Sequence, residues 1–230
     1  MTIPEPDPSL WQDHTVEVDG AVRRFPVVAT YARYLELVEE VPVRIEFDPF
    51  GQNPLAREPS ERLGRIVAMA GGSAAHADAA ANLVGELREA LKDSGCRVRG
   101  SDMRVQAAGA DYYPDVAVYC DPDQAASGQT TALTNPVLVI EVVSPSSERR
   151  DTQTKLDRYL AMPSVREYVL VWTDAYRVQR IARQNGHWRQ HVTIGRDAAV
   201  EFQSVGVSVP MAEIYRNVEI APLPPEPGHA

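Results

Sequence analysis

Lysine is nearly missing from this chain of 230 residues: of 23 basic residues only Lys92 and Lys155 are lysines, so arginine supplies almost every bare positive charge. Each lysine position therefore needs its own explanation. Cysteine is equally scarce. Cys96 and Cys120 are too few for a disulfide framework and fit no zinc spacing, so both are expected to be buried thiols in a reducing cytoplasm. No uncharged apolar run approaches the roughly 18 residues of a spanning helix. The start, Met1-Thr2-Ile3-Pro4-Glu5-Pro6, lacks the basic and apolar regions of a secretory signal. The expectation is a cytoplasmic protein with no membrane partner. P-loop and GxGxxG sequences are missing too. Ser144 stands beside Pro145 without a glycine elbow or a triad partner, which argues against a serine hydrolase.

An excess of positive charge is also lacking. The net charge of −9 speaks against the broad basic surface of a strong non-specific nucleic-acid binder. The acidity is unevenly spread, which weakens that objection. Residues 1–60 carry 11 acids against 5 bases, whereas residues 61–212 carry 18 against 17 and are nearly neutral.

What is present is ordinary globular composition, 44% apolar and 24% charged, with no internal repeat. Residues 1–30, rich in Pro, Asp and Glu with a short alternating stretch at Thr15–Val18, read as a partly ordered N-terminal arm. Tyr31, Tyr34, Leu35 and Val38 have helical spacing, ended by Pro42. Residues 49–60 read as a loop, and 221–230 as a disordered tail. Between them, a strand at 65–69 and a Gly71-Gly72 turn lead to a helix over 73–92, with Ser73 as N-cap and Gly95 beyond its end. Strands follow at 97–105, 115–120 and 137–143, the last so rich in β-branched residues that it reads as a central strand buried on both faces. A helix over 152–162 and strands at 168–172, 176–182 and 187–193 complete a single α/β domain over 31–220.

Three residues stand out chemically. Glu141 interrupts the apolar strand, where an unpaired carboxylate would be costly to bury; either an arginine pairs with it or it binds a hard cation. Asp115 follows Pro114 at a strand start, a common turn position. Together with Glu141, however, it could hold Mg²⁺ and leave sites for water and a phosphate oxygen. Lys155 has Asp151 four residues before it and Tyr159 four after, on one side of the helix. If Asp151 is the N-cap, the macrodipole disfavours a cation at Lys155 by roughly 0.3–1 kcal/mol. Either the two form an exposed pair or Lys155 is a point charge beside the carboxylates. His187 and His191 are four apart on a strand, roughly 13 Å at the strand rise, which argues against zinc between them.

The ordered set Pro114-Asp115, Glu141-Val-Val-Ser144-Pro145-Ser146, Asp151, Lys155 and Tyr159 resembles the Uma-two family of endonucleases, a branch of the PD-(D/E)XK superfamily. The likeness runs from about Tyr31 to about Arg189. It includes Met69-Ala-Gly-Gly-Ser73 with His76, Ser101–Val105, Asn135-Pro136 and Arg166–Val171. It implies a restriction-endonuclease-like α/β core, a mixed central sheet flanked by helices. Asp115 and Glu141 would be metal ligands, with the backbone carbonyl of Val142 as a third. The superfamily carries its lysine two residues after the glutamate, where Val143 stands here, and the Uma-type branch supplies it from the following helix, at Lys155. The auxiliary acid four positions before Gly64 is displaced: Ser60 occupies that position, so that Glu61, Glu46 or neither serves. His76, Asp151 and Tyr159 are further auxiliary candidates. The implied activity is Mg²⁺-dependent hydrolysis of DNA by a homodimer, Mn²⁺ substituting, with Arg97, Arg99, Arg104, Arg149 and Arg150 as local contacts to nucleic acid. A non-catalytic nucleic-acid-binding or interaction protein on the same fold is the alternative, favoured by Val143 and by the net charge.

Overall fold

The computed structural model describes residues 13–18, 21–50, 58–69, 72–121, 132–145 and 147–220. The expected tail, most of the 49–60 loop and Gly71 of the expected turn lie outside these. The chain divides into two compact units, one taking the residues before 72 with Gln106–Tyr112, the other Gly72–Val105 and the residues from Tyr113 onward.

In the first unit the expected N-terminal arm contains an antiparallel hairpin, β1 (Asp13–Val18) and β2 (Ala21–Pro26). Strand β3 (Val28–Thr30) leads into α1 (Tyr31–Glu40), where the Thr30 side chain accepts from the backbone N–H of Arg33. β4 (Ile45–Pro49) and β5 (Leu63–Ala68) pair antiparallel, flanked by β3 on one side and β8 (Ala110–Tyr112) on the other. Tyr31, Tyr34 and Leu37 of α1 pack on Phe47 and Ile66. Gly64 makes room for this core, since a Cβ there would come within 2.7 Å of the Phe47 ring.

The second unit carries a mixed sheet in the order β14-β13-β12-β11-β9-β6. Its strands are β6 (Arg97–Gly100), β9 (Val116–Tyr119), β11 (Leu138–Val143), β12 (Glu167–Trp172), β13 (Arg177–Gln184) and β14 (His187–Ile194). Only β11 and β12 run parallel; every other neighbouring pair is antiparallel. All six residues of β11 are buried, as its apolar run, interrupted at Glu141 alone, predicts. Helix α2 (Ala74–Ala90) lays Ala79, Leu83 and Leu87 into one cluster with Leu138, Ile140 and Val142. The hairpin β15 (Ala199–Phe202) and β16 (Val207–Pro210) and the short α4 (Met211–Ile214) add Phe202, Val209 and Ile214 to that cluster.

Four expectations need correction. The strand expected over 97–105 is broken: after β6 the chain turns at Ser101–Met103 and starts a new strand, β7 (Arg104–Ala107), whose first residues pair with β10 (Ala132–Leu133). Asp151 is not an N-cap. The helix expected over 152–162 begins as a wide π-helical turn over Arg150–Lys155 and becomes α3 only over Leu156–Leu160, so Asp151 lies inside it. The cysteines are not thiols but a disulfide. β6 and β9 set Arg97 opposite Tyr119, so the next pair outward is Cys96 and Cys120. Neither is buried, Cys96 being half-buried and Cys120 exposed, which removes the thiol argument for a reducing compartment. Among the described residues no helix is long and apolar enough to cross a membrane.

Candidate active site

The antiparallel register of β9 and β11 places Val116 opposite Ile140. One step further along, Asp115 faces Glu141 across the pair, at the spacing of directly opposed residues. Both carboxylates are buried, at 7% and 3% exposure. The sequence separates these acids by 26 positions; strand pairing makes them neighbours.

Each acid is held by named partners. Asp115 Oδ2 accepts from the backbone N–H of Val142 at 2.7 Å and lies 3.2 Å from His76 Nε2. His76 comes from the first turn of α2, whose N-cap Ser73 accepts from the backbone N–H of His76. Gly72 leaves space for the imidazole, since a Cβ there would come 2.8 Å from Nδ1. Hydrogen bonding to Asp115 raises the His76 pKa above the ordinary histidine value, against the opposing effect of burial. Glu141 Oε1 accepts from Lys155 Nζ at 3.0 Å, and the same Nζ lies 3.4 Å from Asp151 Oδ1.

Lys155 and Asp151 are buried, which excludes the exposed-pair reading. Burial raises the Asp151 carboxyl above its usual range, while Lys155 pulls it down. The wide turn carrying both residues is pinned from β12: the Tyr168 hydroxyl donates to the Asp151 carbonyl at 2.9 Å, and the Tyr168 ring stacks on Tyr159 at 5.4 Å. Tyr159 is therefore a buried buttress of this turn.

Other expected residues are distributed differently. Glu46 is buried on β4 and Glu61 is exposed in a 3₁₀ turn, both in the first unit. Arg97 and Arg149 are exposed and Arg99 and Arg150 half-buried, whereas Arg104 is 3% exposed and so turned away from any surface ligand. Val143, at the superfamily's lysine position, is buried. Tyr168 is the residue that sequence reasoning missed, because its hydroxyl acts through the backbone of another element.

Asp115 with His76, and Glu141 and Asp151 with Lys155, thus bring three carboxylates, one lysine and one histidine near one another among the described residues. Among the described residues no three Asp, Glu, His or Cys side chains converge as a dedicated all-protein metal cage would need. The donor set of two opposed carboxylates nevertheless fits Mg²⁺, which is commonly held by one or two carboxylates and keeps several waters.

Residues 60–212 match the Uma2 family, described as "Putative restriction endonuclease". Two proteins of Synechocystis sp. are similar: slr1290, uncharacterized, is 32% identical over 160 residues, spanning 67% of this chain and 82% of that one. The second, sll1609, also uncharacterized, is 29% identical over 178 residues, spanning 76% and 93%. Among solved structures, a "putative nuclease belonging to DUF820" from Anabaena variabilis superposes with a TM-score of 0.61 over 81% of this chain and 97% of its own, at 16% identity, a likeness of fold. With a mixed α/β fold like that of this nuclease-like neighbour and a family match over two thirds of its length, the chain belongs to the Uma2 family of restriction-endonuclease-like proteins.

Proposed function

We propose that this protein is a Mg²⁺-dependent phosphodiesterase that hydrolyses DNA, with Asp115 and Glu141 as metal ligands and Lys155 as the catalytic cation. The observation that carries the reading is Lys155 Nζ 3.0 Å from Glu141 Oε1, on the strand directly beside Asp115. That contact supports a lysine supplied from the following helix instead of from the strand, where Val143 stays in the core.

Asp115 and Glu141, with the Val142 carbonyl, would hold the metal; bound there, it would lower the pKa of a coordinated water and offset charge on the phosphate. Lys155, anchored between Glu141 and Asp151, orients the attacking water and donates hydrogen bonds toward the developing negative charge. His76 steadies the Asp115 carboxylate, and Asp151 holds Lys155 in place. Cutting both strands of a duplex calls for two such sites, so a homodimer is part of the proposal.

The test is calorimetric titration with Mg²⁺ or Mn²⁺, with plasmid nicking on the same samples. The wild type is expected to bind and nick, Asp115→Asn to lose both, and Lys155→Ala to bind without nicking. A wild type that takes up neither metal nor cuts DNA sinks the assignment and leaves the non-catalytic binding protein, which the buried Val143 at the superfamily's lysine position favours.

A further inference from the structure

In a chain of net charge −9, residues 175–196 contain five arginines, two histidines and no Asp or Glu. They form the hairpin of β13 and β14, closed by Asn185-Gly186, both at positive φ as a tight two-residue turn requires. β14 is the edge of its sheet, and six of its eight residues are exposed, including Ile194 at 73% and Val192 at 41%. Residues from both faces of the strand are therefore open to solvent, Arg189 and His191 on one and Gln190 and Val192 on the other.

The hairpin lies beside the candidate active site on the same sheet. Glu141 is opposite Leu170, Leu170 opposite Gln179, and Gln179 opposite Val192, so Glu141 and Val192 share a face three strands apart. At the spacing of paired strands this is roughly 14 Å. Between them Arg177 stacks over the Trp172 ring at 3.9 Å, and the Trp172 indole N–H donates to Glu148. Arg183 stacks over Trp188 at 4.7 Å while donating to the carbonyls of Leu160 and Met162. Arg180 is buried against Glu167. That leaves Arg189 and Arg196, both exposed and, among the described residues, without an ion-pair partner.

We infer that the β13–β14 ribbon is a docking surface for double-stranded DNA, holding the duplex beside Glu141; the inference rests on the proposed function for its substrate. Charge complementarity selects a polyanion. Cations stand on both faces of the ribbon, Arg189 on one and Arg177 and Arg183 on the other, which fits a ligand with two phosphate walls, and the B-DNA major groove, about 12 Å wide, admits a two-stranded ribbon. The deep, narrow major groove of A-form RNA does not, and a single strand offers one wall only.

The experiment is fluorescence anisotropy of a short labelled duplex in EDTA, across a salt series, with the full chain. Wild type, Arg189→Ala/Arg196→Ala and Asp115→Asn are compared, with single-stranded DNA and duplex RNA of equal length as further ligands. The double variant, altered only at exposed side chains and checked by its melting curve, is expected to bind duplex DNA severalfold more weakly. Its log–log salt slope should be shallower by about 2, one unit per lost phosphate contact. Unchanged affinity and slope in the double variant overturn the docking surface, as does absence of duplex binding by wild type. Equal affinity for single strands or duplex RNA overturns the groove assignment. An Asp115→Asn protein that still nicks plasmid in Mg²⁺ overturns the proposed active site while leaving the binding result standing.

Discussion

Two buried glutamates on neighbouring parallel strands, Glu141 on β11 and Glu167 on β12, meet their cations in opposite ways. Glu167, at 0% exposure, accepts from Arg180 at 2.8 Å through Oε1 and from the Ser204 N–H and hydroxyl, at 3.0 and 2.8 Å, through Oε2. One acid meets one cation and two neutral donors, so its charge is balanced. Around Glu141, among the described residues, three buried carboxylates meet one lysine and one histidine. Burial alone does not separate a structural ion pair from a reactive site; the charge left over does. A balanced pair has no use for a further cation, whereas an acid-rich one gains from it.

The largest effect expected on this contrast is functional. Asp115→Asn should abolish metal-dependent nicking while circular dichroism remains that of the wild type. Next comes stability. Arg180→Ala leaves Glu167 buried without its cation, which should cost about 3–5 kcal/mol in urea denaturation. Lys155→Ala belongs to the same class, but part of its loss should return on adding Mg²⁺, because a bound cation stabilises only the folded state. No such recovery is expected for Arg180→Ala, and equal recovery in both would erase the distinction. Tyr168→Phe removes the hydroxyl bond to the Asp151 carbonyl and should cost about 1 kcal/mol, with plasmid nicking reduced as Lys155 loses its fixed position.

The smallest effect lies away from both acids. The Tyr215 hydroxyl donates to the Arg177 carbonyl at 2.8 Å and accepts from the Arg177 N–H at 3.2 Å. Burial raises its pKa above the ordinary tyrosine value. A raised folded-state pKa means that its stabilisation is complete below the unfolded value of about 10 and declines as pH rises toward the folded one. Tyr215→Phe should be about 1 kcal/mol less stable at neutral pH and lose less stability in alkali, as read from melting curves between neutral and strongly alkaline buffer.

The central strand was legible because residues 137–140 and 142–143 are all apolar and mostly β-branched, which admits few other readings, and the lone Glu141 announced itself by interrupting them. Lys155 was legible because lysine is so rare here. Other features have no local signature. Val98 and Val105 suggest one continuous strand, and only pairing with β9 on one side and β10 on the other shows the break. Strands of two or three residues such as β3, β8 and β10 exist because a partner is present, not because of their own propensity. The π-helical turn depends on a tyrosine hydroxyl supplied from β12. The cysteine pairing follows from strand register, which a spacing of 24 residues does not reveal.

That pairing has a topological consequence. The chain leaves the second unit after Val105, contributes Gln106–Tyr112 to the first, and returns at Tyr113, all between Cys96 and Cys120. The excursion is a covalent ring closed at its base. A ring of this size limits the unfolded chain by about 3–4 kcal/mol in the chain-entropy account. A single protease cut anywhere between the two cysteines would leave one molecule of unchanged mass, apart from the added water, that separates into two pieces only under reductant.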